Sequence, residues 1–99
     1  MGHQVIWTDE AIADLRQLVA FIARENASAA VKLGEEIIRK SMGLAAHPRL
    51  GRRLRETQSD TPREIIIRLS WLIYEMDDDS STVRVPVLWH GARQEPKIQ

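Results

Sequence analysis

Thr8-Asp9-Glu10-Ala11-Ile12-Ala13-Asp14-Leu15-Arg16-Gln17-Leu18-Val19-Ala20-Phe21-Ile22 decides the fold, because its apolar residues recur with the period of a helix. Ala11, Leu15, Leu18 and Ile22 follow at steps of four, three and four, and Ile12 and Val19 widen the stripe into the buried face of an amphipathic helix. Thr8 stands where a side-chain oxygen can accept from a free amide, and Asp9 and Glu10 put negative charge at the positive end of the helix dipole. This helix is expected to end near Arg24. Asn26 and Ser28 then break the chain and cap a second helix with the stripe Ala30, Leu33, Ile37, Ser41 and Leu44, flanked by Glu35, Glu36, Arg39 and Lys40. Pro48 ends it. Two helices joined by about three residues must run antiparallel, so residues 8–46 read as a helical hairpin with one shared apolar face. Gly34 and Gly43 interrupt the second helix, and the plain reading of both is close helix approach or tolerance.

Outside the hairpin the period changes from 3.6 to two. Gln4-Val5-Ile6-Trp7 suits a short strand before Thr8. From Pro48 to Pro62 the chain is basic, polar and turn-rich. Order returns in Arg63 to Leu69 and in Trp71 to Met76, β-branched and aromatic runs divided by Ser70. Thr82 to Trp89 places Val83, Val85, Val87 and Trp89 on alternate positions, which puts His90 on the opposite face with Arg84 and Leu88. Asp77-Asp78-Asp79-Ser80-Ser81 forms the turn between the last two strands. Pro86 lacks a ladder donor, so its strand must lie at an edge there or contain a bulge. A strand, a helical hairpin and a meander of three strands make one α+β domain over residues 1–99, with the helices on one face of a small sheet.

Composition narrows the function. Fourteen Lys and Arg balance fourteen Asp and Glu in 99 residues, which disfavours wholesale phosphate binding. There is no cysteine for a disulfide or a thiolate zinc site, and His3, His47 and His90 lack metal-ligand spacing. No apolar run is long enough to span a membrane and no signal sequence opens the chain, so a cytoplasmic location is expected. One modest core without staples is expected to gain from a partner that covers exposed apolar surface.

Two constellations can carry function. Residues 49–68 hold Arg49, Arg52, Arg53, Arg55, Arg63 and Arg68 against Glu56, Asp60 and Glu64, a net +3 in a chain otherwise net −3. They read either as a guanidinium surface for phosphate or carboxylate or as a solvated loop whose arginines pair locally. Trp89-His90-Gly91-Ala92-Arg93 ends the last strand with an imidazole and a guanidinium. It reads either as an acid–base group beside an anion stabiliser or as a strand-end histidine bonded to backbone. Tyr74 reads as a core residue with its hydroxyl at the rim, and the three aspartates as a solvated turn.

These residues carry a resemblance over almost the whole chain. Val5-Ile6-Trp7-Thr8, Ala11, Asp14-Leu15, Asn26, Ala29-Ala30, Leu33, His47-Pro48, Gly51-Arg52 and Arg55-Glu56 come first. Arg63-Glu64-Ile65-Ile66, Leu72-Ile73-Tyr74 and the terminal Trp89-His90-Gly91-Ala92-Arg93 follow in the same order. The chain so resembles the ParE branch of the ParE/RelE toxin superfamily, the toxic halves of bacterial toxin–antitoxin (plasmid stabilisation) modules. The resemblance implies a helical hairpin laid on a small twisted, mostly antiparallel sheet. It implies a cognate, ParD-like antitoxin that wraps the toxin with an extended, partly helical segment and covers an apolar edge of the hairpin. It also implies that the toxin poisons DNA gyrase and arrests growth, with no cofactor, metal or membrane and no sequence-specific nucleic-acid binding of its own. Arg52, Arg53, Arg55, Arg63, Arg68, His90 and Arg93 are the expected contacts to target or antitoxin. The alternative activity is that of the RelE branch, ribosome-dependent cleavage of messenger RNA, for which Arg63, Arg68, His90 and Arg93 would be the catalytic set. A third possibility is a non-toxic relative that binds only an antitoxin.

Overall fold

Strand β1 (Gln4–Trp7) turns at Thr8 into helix α1 (Asp9–Ala23) in the computed structural model of the chain, which describes residues 2–54 and 60–91. Thr8 caps the helix as its position implies, its Oγ1 accepting from the Ala11 amide at 3.1 Å. The same hydroxyl donates to the carbonyls of Val85 and Pro86, fastening the helix start to the sheet. The helix ends at Arg24, and Asn26 caps α2 (Ala27–Met42) by accepting from the Ala29 amide at 2.9 Å. α2 stops at Met42, ahead of Pro48, and a 3₁₀ turn over Gly43–Ala45 follows it.

The stripes read from the sequence are the buried ones. Ala11 and Leu18 of α1 and Ala30, Leu33, Ile37 and Ser41 of α2 are buried, as is Leu44 in the 3₁₀ turn, while Leu15 and Ile22 pack against that core at partial burial. A Cβ at Gly34 would lie 3.2 Å from Val19 Cγ2, whereas one at Gly43 would meet nothing within 4 Å. Gly34 therefore serves close helix packing; Gly43 is merely tolerated.

Four further strands complete a five-stranded sheet: β2 (Arg52–Arg53), β3 (Arg63–Ile67), β4 (Ser70–Asp77) and β5 (Thr82–His90). Their order is β1-β5-β4-β3-β2, antiparallel except where β1 runs parallel to β5. The helices close one face, over a core in which Ile67, Leu72, Tyr74, Val83, Val85 and Leu88 meet the helical stripes. At the β4–β5 turn the Asp77 carboxylate accepts from the amides of Asp79 and Ser80, as the aspartate run suggested.

Three sequence expectations change. Arg52 and Arg53, read as loop, form an edge strand paired with Glu64 and Arg63. Arg68 and Leu69, read as strand, form a two-residue turn, so Ser70 opens β4; Arg68 has φ 56, the left-handed conformation that such a hairpin needs at its first turn position. The third correction concerns His90. Ile73 pairs with Val87 and Glu75 with Arg84, so Val85 and Pro86 together face the single residue Tyr74, which is a bulge. β1 pairs with β5 only as far as Val85, so the missing donor of Pro86 faces no strand and both halves of that expectation hold. The extra residue flips the side chains beyond it: Val83 and Val85 are buried before it, Leu88 and His90 after it. Val87 and Trp89 turn to the face away from the helices, and His90 points to the core side.

Candidate functional site

Tyr74 organises the arginine-rich segment. The fully buried side chain donates from its hydroxyl to the Pro48 carbonyl at 2.7 Å and accepts from the Gly51 amide at 2.9 Å. Burial pushes its pKa above the ordinary tyrosine value, so it serves as a neutral donor. Gly51 crosses so close that a Cβ would lie 2.5 Å from the Glu64 carbonyl and 2.8 Å from the Tyr74 ring, which leaves room only for glycine.

Around this crossing the arginines are paired internally. Arg63 donates to the Asp60 carboxylate at 2.6 Å, to the Asp60 carbonyl at 2.7 Å and to the Gly51 carbonyl at 2.7 Å. Arg49 bridges Asp60 at 2.6 Å and Asp78 at 2.8 Å, and His3 Nε2 lies 3.0 Å from Asp78. The guanidiniums of Arg63 and then Arg49 hold the Asp60 carboxyl below its usual range, and Arg49 and then His3 do the same for Asp78. Arg52 binds Glu64 across the strands at 2.6 Å. Arg68 binds Glu36 of α2 at 2.6 Å, which with Lys40 at 3.4 Å lowers the pKa of Glu36. Pairing with acids of the same segment thus accounts for Arg49, Arg52 and Arg63, while Arg68 is held from α2. Arg53 is exposed and makes no ion pair among the described residues; Arg55 and Arg93 lie outside them.

His90 belongs to the other end of the sheet. It pairs in register with Ser70, whose hydroxyl lies 2.9 Å from its Nδ1, and both are buried. Beside it Gly91 rests against the Trp71 ring, where a Cβ would come within 3.1 Å. Arg63 pairs with Tyr74 of β4 and His90 with Ser70, so the two are separated by about 13 Å of strand. Arg68 and His90 share one end of the sheet; Arg63 sits at the other.

Two surface grooves flank α2. The first, about 450 Å³, lies on the outer side of the hairpin between Leu15, Val19, Ala30, Val31, Gly34 and Ile38, and is the apolar edge the sequence led us to expect. Val31 and Ile38 are exposed on it. The second, about 610 Å³, lies between the C-terminal half of α2 and the outer edge of β3, bordered by Arg39, Lys40, Gly43, Leu50 and Ile65 to Ile67. Sequence reasoning missed this one. Its only signal was Leu50, an apolar residue amid basic ones, now 67% exposed.

Comparisons with known proteins agree with this architecture. The family model described as ParE toxin of type II toxin-antitoxin system, parDE, matches residues 5–95. No curated protein matches the chain. Among solved structures, a chain of the RelBE2 toxin–antitoxin complex from Mycobacterium tuberculosis is similar at 22% identity and a TM-score of 0.68, covering 91% of this chain and 99% of that one. A chain of the chromosomal ParDE system from P. aeruginosa is similar at 14% identity and a TM-score of 0.70, covering 89% and 95%. The isolated RelE toxin of E. coli is similar at 19% identity and a TM-score of 0.66, covering 94% and 88%. At these identities the structures speak for the fold, a helical hairpin on a small twisted sheet, and the family model for the relationship. With 91 of its 99 residues inside that model, the chain belongs to the ParE toxin family of type II toxin–antitoxin systems.

Proposed function

We propose that this chain is a toxin that acts in the cytoplasm by binding and poisoning DNA gyrase, and that a cognate ParD-like protein antitoxin neutralises it. The observation that carries the proposal is the match to the ParE model over residues 5–95, which brings with it the family's partner and target by analogy. The geometry supports a binding role over the alternative of ribosome-dependent messenger cleavage. General acid–base chemistry on one phosphate needs its groups within hydrogen-bond reach of the same atoms, yet Arg63 is engaged by Asp60 and Gly51 at one end of the sheet while His90 is bonded to Ser70 at the other. A chain of zero net charge also gains little counterion-release affinity for a ribosome.

In this reading Arg52, Arg53 and Arg68 are exposed contacts to target or antitoxin, joined by Arg55 and Arg93, while Arg63 and His90 shape the surface from beneath. The outer groove of the hairpin takes the antitoxin's amphipathic helix. The test is induction of the chain alone in a bacterial host, with plasmid topology and messenger integrity followed together. Growth arrest with loss of negative supercoiling and intact messenger is the expected result. Arrest with cleaved messenger and normal topology overturns it in favour of the RelE-type activity, and no arrest at all favours a non-toxic antitoxin-binding relative.

A further inference from the structure

The two outer strands of the sheet are guarded differently. On one side β2 is a pair of exposed arginines, of which Arg53 makes no ion pair among the described residues, so a second copy laid along it would meet like charge. On the other side β1 reads Gln4-Val5-Ile6-Trp7, with no charge, no proline and an unbroken register against β5. Of the usual protections of an edge strand, β1 has only its shortness.

Hydrogen bonds fix which backbone groups of β1 are already used. The Gln4 amide donates to the Ser81 carbonyl at 2.8 Å and the Thr8 amide to the Val85 carbonyl at 3.1 Å. Alternate residues of a strand face the same neighbour, so Gln4, Ile6 and Thr8 direct their groups to β5, and His3, Val5 and Trp7 direct theirs outward. His3 agrees with this phase, because its amide donates to the Ala45 carbonyl of the 3₁₀ turn at 2.7 Å. The backbone groups of Val5 and Trp7 meet no such partner among the described residues. Their side chains point the other way from that of Ile6: Val5 and Trp7 pack on the core, and the Trp7 Nε1 donates to Ser41 Oγ at 3.1 Å. Ile6 lies on the face away from the helices and is 42% exposed.

This pattern is its own complement. Two copies of β1 running antiparallel and centred on Ile6 set Val5 of each opposite Trp7 of the other, and each such pair exchanges both backbone bonds. The two Ile6 residues then form the central non-hydrogen-bonded pair, about 4.5 Å apart at Cα, and cover each other's exposed side chain. A slip of one residue would set outward groups against used ones, so only this register satisfies the edge.

We propose that β1 is a self-pairing edge, through which two copies of this chain join their sheets about a two-fold axis normal to the sheet. Such an axis keeps the faces aligned, so both helical hairpins lie on one side of the joined sheet. The contact is far smaller than the ~800 Å² per partner of a stable complex, so the dimer is weak and forms at high local concentration. The pairing stands whether or not gyrase is the target.

The test is sedimentation equilibrium of the whole chain over a range of concentrations. The chain should pass from monomer to dimer as concentration rises, and exchange of the Val5 and Trp7 amides should slow in step. Ile6→Lys and Ile6→Glu, at an exposed side chain, should each melt close to the unaltered chain and remain monomeric, whereas an equimolar mixture of the two should dimerise, as opposite charges in one cross-strand pair require. The chain has no cysteine, so Ile6→Cys gives an independent reading. Under mild oxidation it should form disulfide dimers at least about tenfold faster than Leu69→Cys, at a residue that is more exposed, 61%, but lies in the β3–β4 turn. A monomer at every concentration, a dimer of Ile6→Lys alone, a mixture that stays monomeric, or equal cross-linking of the two cysteine variants each overturns the proposal.

Discussion

The two sides of α2 face different problems of recognition. Toward the outside of the hairpin, Leu15, Val19, Val31 and Ile38 offer hydrocarbon alone, since every backbone group nearby is bonded within a helix. Toward β3, Ile65 to Ile67 offer hydrocarbon together with an unextended sheet edge and a cationic margin. The first surface can be satisfied by shape, which suits a helix; the second adds backbone groups and charge. Arg39 borders both grooves. One helix of sixteen residues thus separates two surfaces of different chemistry, and its buried stripe keeps them in place.

That comparison breaks most visibly if inner and outer residues of α2 prove equivalent. Ile37 is fully buried and Ile38 is 41% exposed. Ile37→Ala should cost about 2–5 kcal/mol in urea unfolding, whereas Ile38→Ala should stay within about 0.5 kcal/mol and weaken antitoxin binding instead. Equal losses of stability would dissolve the distinction between the faces. A smaller effect sharpens the β3 side. Tyr74→Phe strands the Gly51 amide and the Pro48 carbonyl and should cost about 1–3 kcal/mol, with faster amide exchange over residues 48–53 but not in α1. Loss of protection spread through both helices would mean that Tyr74 supports the whole core rather than this crossing.

The smallest effect is electrostatic. Asp60, Asp78 and Glu36 titrate lower in the folded chain than in the unfolded one, so each stabilises the fold above the unfolded carboxylate range near pH 4 and loses that contribution as pH falls through its depressed value. All three are solvent-screened, so the loss should be slight and should shrink further in salt. Arg49→Ala should flatten the acid limb by relieving Asp60 and Asp78, and Arg68→Ala by relieving Glu36, as measured by melting temperature between pH 2 and 5. An acid limb unchanged by both variants would remove these pairs from the account.

How far the sequence discloses this arrangement depends on the range of the interaction involved. The helices were legible to their caps, because Thr8 and Asn26 act on amides three residues away and the apolar stripes repeat within one turn. β2 was not, since Arg52 and Arg53 carry no strand pattern and are held by Glu64 and, through Gly51, by Tyr74. The face of His90 is not legible because one extra residue at Val85-Pro86 inverts everything after it, and Pro86 by itself required only an edge or a bulge there. Of the candidate site, local pairing of Arg52 and Arg63 with nearby acids could be anticipated. The ties of Arg68 to Glu36 and of Arg49 to Asp78 could not, because they join residues that only the tertiary fold brings together.

The most direct test of the proposed activity is a titration of the purified chain into a supercoiling reaction with purified gyrase, run beside a reaction with programmed ribosomes. The account predicts loss of supercoiling at toxin concentrations that leave the ribosome-bound messenger whole. Cleavage of the messenger with supercoiling untouched would contradict it, and would require Arg63, Arg68, His90 and Arg93 to be reconsidered as a catalytic set that assembles only on the ribosome.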